Sequence, residues 1–341
     1  MNTKKQCDIS TRVASTLGLV FWMVIAGCGE IDENQEVEYR EVWESELYSP
    51  TQLVELEGRY FLVDCWHNRI LYSDELHDDL LKWEVLDGEL AGPHSIDTDG
   101  HLYVVDDTGR HQLRVYVEGD DGFELVQELD DVGRRPHRVV YDEVTQSFYV
   151  VGSWTQTISR LVPDGDGLEL KYTMELDFLD EAYIRSMSII DGKMYFISGP
   201  ERIHKTRHRD DSYEVIESWR VPPEHRGMND IFFHDGDWYV TATYNYWDPE
   251  FFDENTILRC EDLNDYYDGN CVDLREELGL KGAPYYLSEI DGRLYVPQVF
   301  QYSGIVSFVP GVDGAVTEVD VLFDSGTPSE ESREERFRLP K

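Results

Sequence analysis

The chain has 341 residues, of which 70 are Asp or Glu and 30 are Lys or Arg, so its formal net charge at neutral pH is −40. A surface of this charge repels nucleic-acid phosphates and anionic lipid headgroups, which argues against DNA, RNA or electrostatic membrane binding. An acidic excess also favours solubility or suits a salty habitat, and this second interpretation accounts for most of the charge.

The first residues are predicted to be a targeting segment. Three basic residues precede an apolar run over residues 17–24 that is too short for a membrane span. The run leads into Val24-Ile25-Ala26-Gly27-Cys28, which resembles the lipobox of bacterial lipoproteins, where the signal is cut before a Cys that then carries lipid. We expect a signal peptide over residues 1–27, lipid on Cys28 and an acidic tether over residues 28–37. In that family Gly29 after the Cys implies the outer membrane, so the lipid anchor would be the protein's contact with the cell envelope.

A sequence phrase of about 45 residues repeats six times after the tether, each copy containing four short apolar or aromatic strands joined by acidic turns. Five of the copies have a turn glycine, and the third copy lacks it; the glycines are Gly58, Gly100, Gly192, Gly236 and Gly292. Repeats of this length with four strands are typical of β-propellers. The sequence predicts an all-β, six-bladed β-propeller with four antiparallel strands per blade over residues 38–324, followed by a polar tail over residues 325–341.

Two further features concern how the ring is held together. The strand-like residues 38–47 are expected to pair at blade six, beside the last strand. Five cysteines are present, and Cys260 and Cys271 flank the long connection between the third and fourth strands of blade five. We expect these two to form a disulfide in an oxidising compartment. Cys65 lies outside this predicted disulfide and is interpreted as a small apolar residue at a strand end.

Sorting the loops by face of the propeller separates the charges. The loops joining first to second and third to fourth strands share one face and contain most of the turn aspartates. The loops on the opposite face bring Arg, His and aromatic residues to the channel mouth, a combination suited to an anionic or hydroxyl-rich ligand. The alternative is that these arginines pair with Asp106, Asp107 and their neighbours and tie blades together.

The stretch from Gly92 to Asp106, with Arg110-His111-Gln112 after it, resembles NHL-type propeller repeats and, among them, the peptidyl-amidoglycolate lyases. In those lyases Pro-His pairs at inner-strand starts supply histidines to a catalytic zinc. Pro93-His94 and Pro136-His137 match that pattern, whereas the other inner strands have Thr51, Arg185, Asn229 and Tyr285 at this position. The resemblance implies a divalent metal near the two histidines. A looser similarity to gluconolactonase-type propellers rests on Asn229 and Asp230.

Three functions remain open from the sequence. The leading hypothesis is a monomeric protein that binds a small polar or anionic ligand, or a glycan, at the channel mouth. Its predicted ligand-binding residues are His94, Arg135, His137, Arg138, Arg185, Asn229, Tyr285 and Tyr286. The alternative is a metal-assisted lyase or hydrolase using His94, His137 and Asp230, with Arg185 orienting the substrate. The third is a protein-interaction scaffold that uses Trp154 and residues 244–247.

Overall fold

Six antiparallel sheets, each built from consecutive strands of the chain, form the fold in a computed structural model. The structure describes residues 43–120, 122–179, 183–199, 202–209, 211–225, 227–243, 255–300, 302–311 and 315–329. The predicted all-β, six-bladed propeller is confirmed, including the third copy without the turn glycine. The predicted signal segment, tether and Cys28, the Tyr244–Trp247 insertion and most of the tail lie outside the described residues.

The first three blades run from the inner to the outer strand in chain order. The strands of blade 1 are Pro50–Leu56, Arg59–Asp64, Arg69–Ser73 and Glu84–Asp87. The strands of blade 2 are Ile96–Thr98, Leu102–Asp107, Gln112–Gly119 and Gly122–Leu129. The strands of blade 3 are Pro136–Asp142, Ser147–Gly152, Thr157–Asp164 and Gly167–Glu175.

The last three blades follow the same order, with one irregularity in blade 6. The strands of blade 4 are Tyr183–Ile190, Lys193–Gly199, Arg202–Arg209 and Ser212–Arg220. The strands of blade 5 are Asp230–His234, Asp237–Ala242, Thr256–Cys260 and Val272–Asp273. In blade 6 the inner strand is broken into Ala283–Pro284 and Ser288–Ile290, which both pair with Arg293–Val299; Ser303–Pro310 and Val316–Gly326 complete the sheet. The last strand therefore extends two residues past the predicted boundary at 324.

Helices among the described residues are short. The α-helix Leu263–Asp268 lies within the long connection of blade 5, and the α-helix Arg275–Leu278 lies between blades 5 and 6. Four 3₁₀ turns occur at Cys65–His67, Leu80–Lys82, Asp177–Leu179 and Pro223–His225. No helix in this part of the chain is long and apolar enough to cross a bilayer.

Apolar clusters between neighbouring blades hold the ring together. The second strands alternate inward and outward, and their Val, Leu, Ile and Phe side chains are buried on both faces, as expected for strands packed between two sheets. A cluster at the closing interface brings Leu53 and Leu62 of blade 1 against Tyr295, Ile305 and Phe323 of blade 6. The ring thus closes through side chains between two complete sheets.

The backbone conformation of the hairpin turns explains why Asp-Gly pairs recur in them. Asp191-Gly192, Asp235-Gly236 and Asp291-Gly292 have positive φ at both central positions. This conformation matches the right-handed twist of two-residue hairpins, and Asp and Gly are among the residues that tolerate it best. The acidic character of this face therefore follows from turn geometry, which requires no ligand.

The segment before blade 1 is described only from residue 43, so residues 38–42 of the expected strand lie outside the described residues. Residues 43–49 form no strand, and they contact blade 6 through hydrogen bonds from Leu47 N to Ser325 Oγ (2.9 Å) and from Ser49 N to Ser303 Oγ (3.0 Å). Tyr48 N donates to the buried carboxylate of Asp64 in blade 1 (2.7 Å). Polar side chains at the ends of strands thus fix this segment across the closing interface.

The predicted disulfide between Cys260 and Cys271 is confirmed. It closes the connection that contains the helix Leu263–Asp268, and Asp262 caps this helix by accepting from Asn264 N (2.7 Å). The cross-link holds a short fourth strand of only two residues, Val272–Asp273, against the third strand.

Candidate functional site: a cationic pocket at the channel mouth

A pocket of about 550 Å³ opens on the face that receives the loops after the second strands and before the inner strands. Blades 1, 2, 3, 4 and 6 contribute to its wall. Its lining residues are Ser49, Thr51, Cys65, Trp66, Asn68, Ala91, Gly92, His94, Thr108, Gly109, Arg135, His137, Trp154, Tyr183, Arg185, Tyr285, Val299 and Phe300. Five of the eight predicted ligand-binding residues are in this set: His94, Arg135, His137, Arg185 and Tyr285.

His94 is held in one orientation by the loop of its own blade. Its Nδ1 lies 3.0 Å from Thr108 Oγ1 and 3.7 Å from Asp106 Oδ2, and its backbone N donates to the same carboxylate oxygen (3.0 Å). Its Nε2 lies 3.8 Å from Cys65 Sγ of blade 1. Burial lowers the pKa of His94 below its ordinary value, although the neighbouring Asp106 acts to raise it.

The His137 ring lies against the His94 ring, with the centroids 3.7 Å apart and the planes tilted by 34°. Its Nε2 lies 2.8 Å from Tyr285 Oη, a hydrogen bond that joins blade 3 to blade 6. Burial holds the pKa of His137 well below the ordinary value, and His94, Arg185 and Arg135 lower it further. At neutral pH both rings are therefore neutral, so the arginines supply the positive charge of the pocket.

Cationic and aromatic side chains alternate around the rim. The Arg135 guanidinium lies 5.2 Å from the ring centroid of Trp154, and Arg185 lies 4.8 Å from that of Tyr183. Trp154 is 50% exposed, which leaves much of this large ring open to solvent. The opposite wall is apolar, where Trp66 packs edge-on against Phe300 (4.7 Å between centroids). This wall and these cations together suit a ligand with an anionic group and a flat or apolar body.

Three buried polar atoms of lining residues have no hydrogen-bond partner: Thr51 Oγ1, Arg135 Nε and His137 Nδ1. Thr51 and His137 are 2% and 1% exposed. Buried polar groups are rarely left unpaired in folded proteins because each one costs about 1–3 kcal/mol. Atoms of this kind in a cavity are instead expected to meet a ligand or ordered water.

The other predicted residues contact neighbouring blades and do not line the pocket. Tyr286 is fully buried, and its hydroxyl lies 3.0 Å from His137 O and 2.8 Å from Arg185 O. The Arg138 guanidinium lies 4.1 Å from the Tyr286 ring centroid. Asn229 Nδ2 donates to Pro284 O (2.6 Å). These contacts link blade 6 with blades 3, 4 and 5 across the channel.

Asp230 also bonds away from the pocket, accepting from Ser186 Oγ (2.8 Å) and Leu287 N (3.3 Å). Burial raises its pKa, although Arg138 acts in the opposite direction. Within the described residues, no three His, Cys, Asp or Glu side chains are grouped closely enough to hold a metal ion. The donor set around His94 and His137 therefore does not fit the metal that the family resemblance implies.

Arginines of this face play two different roles. Arg110 pairs with Asp107 (2.6 Å) within blade 2 and Arg69 with Asp64 (2.9 Å) within blade 1, so these arginines do pair with the strand-end carboxylates, but inside one blade. Arg135, by contrast, lines the pocket, and its buried Nε has no hydrogen-bond partner. The role of an arginine on this face thus depends on whether it lies beside the carboxylates that end the second strands.

Sequence reasoning missed Cys65 and Thr108 as site residues. Both follow the end of a second strand, Arg59–Asp64 in blade 1 and Leu102–Asp107 in blade 2, so the topology brings both to the channel mouth. The Asp at the end of each strand was the available signal, because a carboxylate at this position organises the residues that enter the pocket.

No protein-family model matches the sequence, and no curated protein sequence matches it. The structure is similar to a putative 6-phosphogluconolactonase from Bacteroides uniformis, with 14% identity, 80% of this chain and 85% of that chain covered, and a TM-score of 0.56. It is also similar to a protein of the same description from Bacteroides fragilis, with 14% identity, coverage of 82% and 86%, and a TM-score of 0.57. Hydrazine synthase of Kuenenia stuttgartiensis matches with 16% identity, coverage of 77% and 78%, and a TM-score of 0.52. At these identities the similarities show the fold alone, a β-propeller.

Proposed function

We propose that this protein is a monomeric, lipid-anchored propeller of the cell envelope that binds a small anionic ligand, a carboxylate or phosphate with a sugar-like or ring-shaped body, in the pocket at its channel mouth. The observation that carries this proposal is the set of unpartnered atoms, Thr51 Oγ1, Arg135 Nε and His137 Nδ1, in the wall of one cavity. They present a hydroxyl, a guanidinium N–H and an imidazole nitrogen, which together can bind an anion and an adjoining hydroxyl group.

The charge of the pocket supports an anion in particular. Arg135 and Arg185 both lie close enough to the two histidines to lower their pKa values. Since the rest of the surface is strongly acidic, an anion would be repelled elsewhere and attracted here. The names of the two Bacteroides proteins refer to a phosphorylated sugar acid derivative, which belongs to the same chemical class.

Titration calorimetry with matched pairs of probes tests the ligand class. We expect glucose 6-phosphate or galacturonate to bind, and their neutral analogues glucose and galactose to bind much more weakly. Arg135→Ala should weaken binding of the anionic probes by about tenfold or more, because a charged hydrogen bond contributes roughly 1.5–3 kcal/mol. Arg207→Ala is the matched control, since Arg207 is 52% exposed and pairs with Glu214 on an outer strand. Equal binding of charged and neutral probes, or equal effects of the two substitutions, would contradict the proposal.

The lipid anchor is supported by the residues 24–28 and by the acidic tether that follows them. Replacing Cys28 by Ser should remove the acceptor of the lipid and move the protein from the membrane fraction to the soluble fraction. Fractionation of cells that express either form, followed by immunoblotting, measures this change. A Cys28→Ser protein that stays with the membranes would show that the anchor is of another kind.

A further inference from the structure

The thiol of Cys65 lies in the wall of the same pocket, next to an imidazole. Cys65 is 2% exposed and forms no disulfide, and its Sγ lies 3.8 Å from His94 Nε2. The two residues come from different blades, so the contact depends on the packing of blade 1 against blade 2. A thiol next to an imidazole that can act as a general base is the arrangement that activates cysteine nucleophiles.

Hydrogen bonding behind His94 determines which nitrogen carries the proton. Thr108 Oγ1 lies 2.7 Å from Asp106 Oδ2 and 2.6 Å from Pro136 O, and both of these atoms only accept hydrogen bonds. The single hydroxyl proton of Thr108 is therefore donated to one of them, and Oγ1 accepts from His94 Nδ1, which must carry the ring proton. Nε2 is then unprotonated and faces the Cys65 thiol, which makes it the acceptor for the thiol proton.

The Asp106 carboxylate is well placed to keep this arrangement. It is fully buried and accepts from His94 N (3.0 Å), Ser95 N (2.7 Å), Ser95 Oγ (2.7 Å) and Thr108 Oγ1. It thus fixes both the backbone of His94 and the hydroxyl that orients its ring. Asp106 and Thr108 are positioning residues, because both act on the Nδ1 side of His94, whereas the Cys65 thiol lies at Nε2.

The pocket also contains groups that point to a ligand beside the thiol. His137 lies against His94, is 1% exposed and has an unpartnered Nδ1. Thr51, 2% exposed, has an unpartnered hydroxyl in the same wall. The nearby Arg135 would hold the anionic end of a ligand, so an electrophilic carbon in the same molecule could reach Cys65 Sγ.

We propose that Cys65 is a nucleophile activated by His94, and that the pocket hydrolyses an ester or thioester of a small acid that bears a second, anionic group. This inference rests on the proposed anion-binding function and adds a reaction to it. In place of the metal-assisted lyase or hydrolase that the sequence left as an alternative, it proposes covalent catalysis by Cys65, which the sequence analysis interpreted as a small apolar residue.

The steps conserve atoms and charge. His94 Nε2 takes the thiol proton as Sγ attacks the carbonyl carbon; the C–S bond forms, the bond to the leaving oxygen or sulfur breaks, and the leaving group takes the proton from His94. Water then attacks the acyl-thioester, giving one proton to His94, which returns it to Cys65 Sγ as the acid leaves. The products are the free acid and the alcohol or thiol, and no other reactant is needed.

Alkylation of the full-length protein tests the thiol directly, with peptide mass spectrometry to identify modified Cys65. With iodoacetamide, the rate should reach half its maximum at a pH below the ordinary thiol pKa of about 8.5. His94→Gln should lower the rate at neutral pH by about tenfold or more. The wild-type pH profile does not depend on how well the variant folds. A profile centred at or above the ordinary thiol pKa would overturn the nucleophile proposal.

Comparing an anionic with a neutral alkylating reagent separates the proposed nucleophile from the anion-binding function on which it rests. When Arg135 is replaced by Ala, the rate with iodoacetate, an anionic reagent, should fall by a larger factor than the rate with neutral iodoacetamide, so the ratio of the two rates is the readout. If iodoacetate shows no dependence on Arg135 while iodoacetamide still depends on His94, the anion pocket is wrong and the activated thiol stands. If anionic probes bind but Cys65 reacts like an ordinary thiol, the binding function stands and the nucleophile is wrong.

Turnover is measured with mono-4-nitrophenyl succinate and its neutral counterpart 4-nitrophenyl acetate. We expect an initial burst of 4-nitrophenolate with the succinate ester, and a hydroxylamine-sensitive succinyl group on the Cys65 peptide. Cys65→Ser should lose both the burst and the adduct. Hydrolysis that survives Cys65→Ser unchanged would overturn the catalytic role.

Discussion

Asp64→Ala should destabilise the propeller by about 3–5 kcal/mol, the cost of breaking a buried ion pair from one side. The Asp64 carboxylate is fully buried, and it accepts from Tyr48 N (2.7 Å), His67 Nδ1 (2.9 Å) and Arg69 Nε (2.9 Å). Arg69 is itself 1% exposed and extends to the carbonyls of Trp43 and Glu46. Removing the carboxylate would leave a buried guanidinium without its counter-charge and would release the segment before blade 1.

The same carboxylate gives the effect a pH dependence. Burial alone would raise the pKa of Asp64, but His67 and Arg69 together outweigh burial and hold the pKa below its usual range. The unfolded chain therefore takes up the proton first as pH falls. The stability that Asp64 contributes is fully present above about pH 4, the ordinary value, and is lost as pH falls through the lower folded-state pKa.

Urea unfolding of wild type and Asp64→Ala at neutral pH and in acid measures both statements. The difference in the free energy of unfolding should be large at neutral pH and should shrink below about pH 4. Arg207→Ala serves as the control, because exposed ion pairs contribute only about 0–1 kcal/mol. If Asp64→Ala cost no more than this exposed pair, the buried network would not be what fixes the first blade.

The fold could be predicted because the hairpin turns of the repeat accept only a few residue types, which recur at regular spacing in the sequence. A hairpin that needs positive φ at two positions selects residues such as Asp and Gly, so each blade leaves a mark in the sequence even where strands are short. The third blade was found without its glycine because its aromatic second strand, Ser147–Gly152, falls at the expected distance from its neighbours. The segment 43–49 was harder to predict, since its position depends on Asp64, Arg69 and Ser325, which come from opposite ends of the chain.

The site was predictable only in part, for a related reason. His94, Arg135, His137 and Arg185 could be placed at the channel mouth because each lies at or near the start of an inner strand. Asp230 shares that feature, yet its carboxylate bonds to Ser186 and Leu287 in neighbouring blades. The position of a residue in the sequence shows whether it lies at the channel end of an inner strand. The direction of its side chain depends on hydrogen-bond partners in neighbouring blades.

The role proposed for Cys65 could not be predicted from its local sequence either. As a single cysteine at a strand end it looked like a small apolar residue, and its burial agrees with that description. Its position opposite His94 Nε2 depends on the packing of blade 1 against blade 2, while the proton on Nδ1 depends on Thr108. The pairing of a thiol with an imidazole therefore arises between blades and leaves no local motif in either one.

Asp106→Ala should be nearly as damaging to stability as Asp64→Ala, at about 3–5 kcal/mol, and should also disable the pocket. It would leave the donors His94 N, Ser95 N, Ser95 Oγ and Thr108 Oγ1 without the carboxylate that now accepts from them, and each buried donor left unpaired costs about 1–3 kcal/mol. Water entering the space would recover part of this cost. Urea unfolding measures the loss, and a change below about 1 kcal/mol would contradict the importance of the buried carboxylate.

Asp106→Asn separates positioning of His94 from the stability of the blade. Asparagine keeps one acceptor oxygen, for Ser95, but turns an N–H₂ group toward His94 N and Thr108 Oγ1, and neither of these can donate to it because an amide N–H₂ accepts no hydrogen bond. The folded variant should therefore lose the fixed proton on His94 Nδ1, and its Cys65 alkylation profile should move toward the ordinary thiol pKa of about 8.5. A variant that is folded by circular dichroism, destabilised, and unchanged in this profile would limit Asp106 to a structural role. A shifted profile at a pH where most of the protein is still folded would place Asp106 behind His94 in the activation of the thiol.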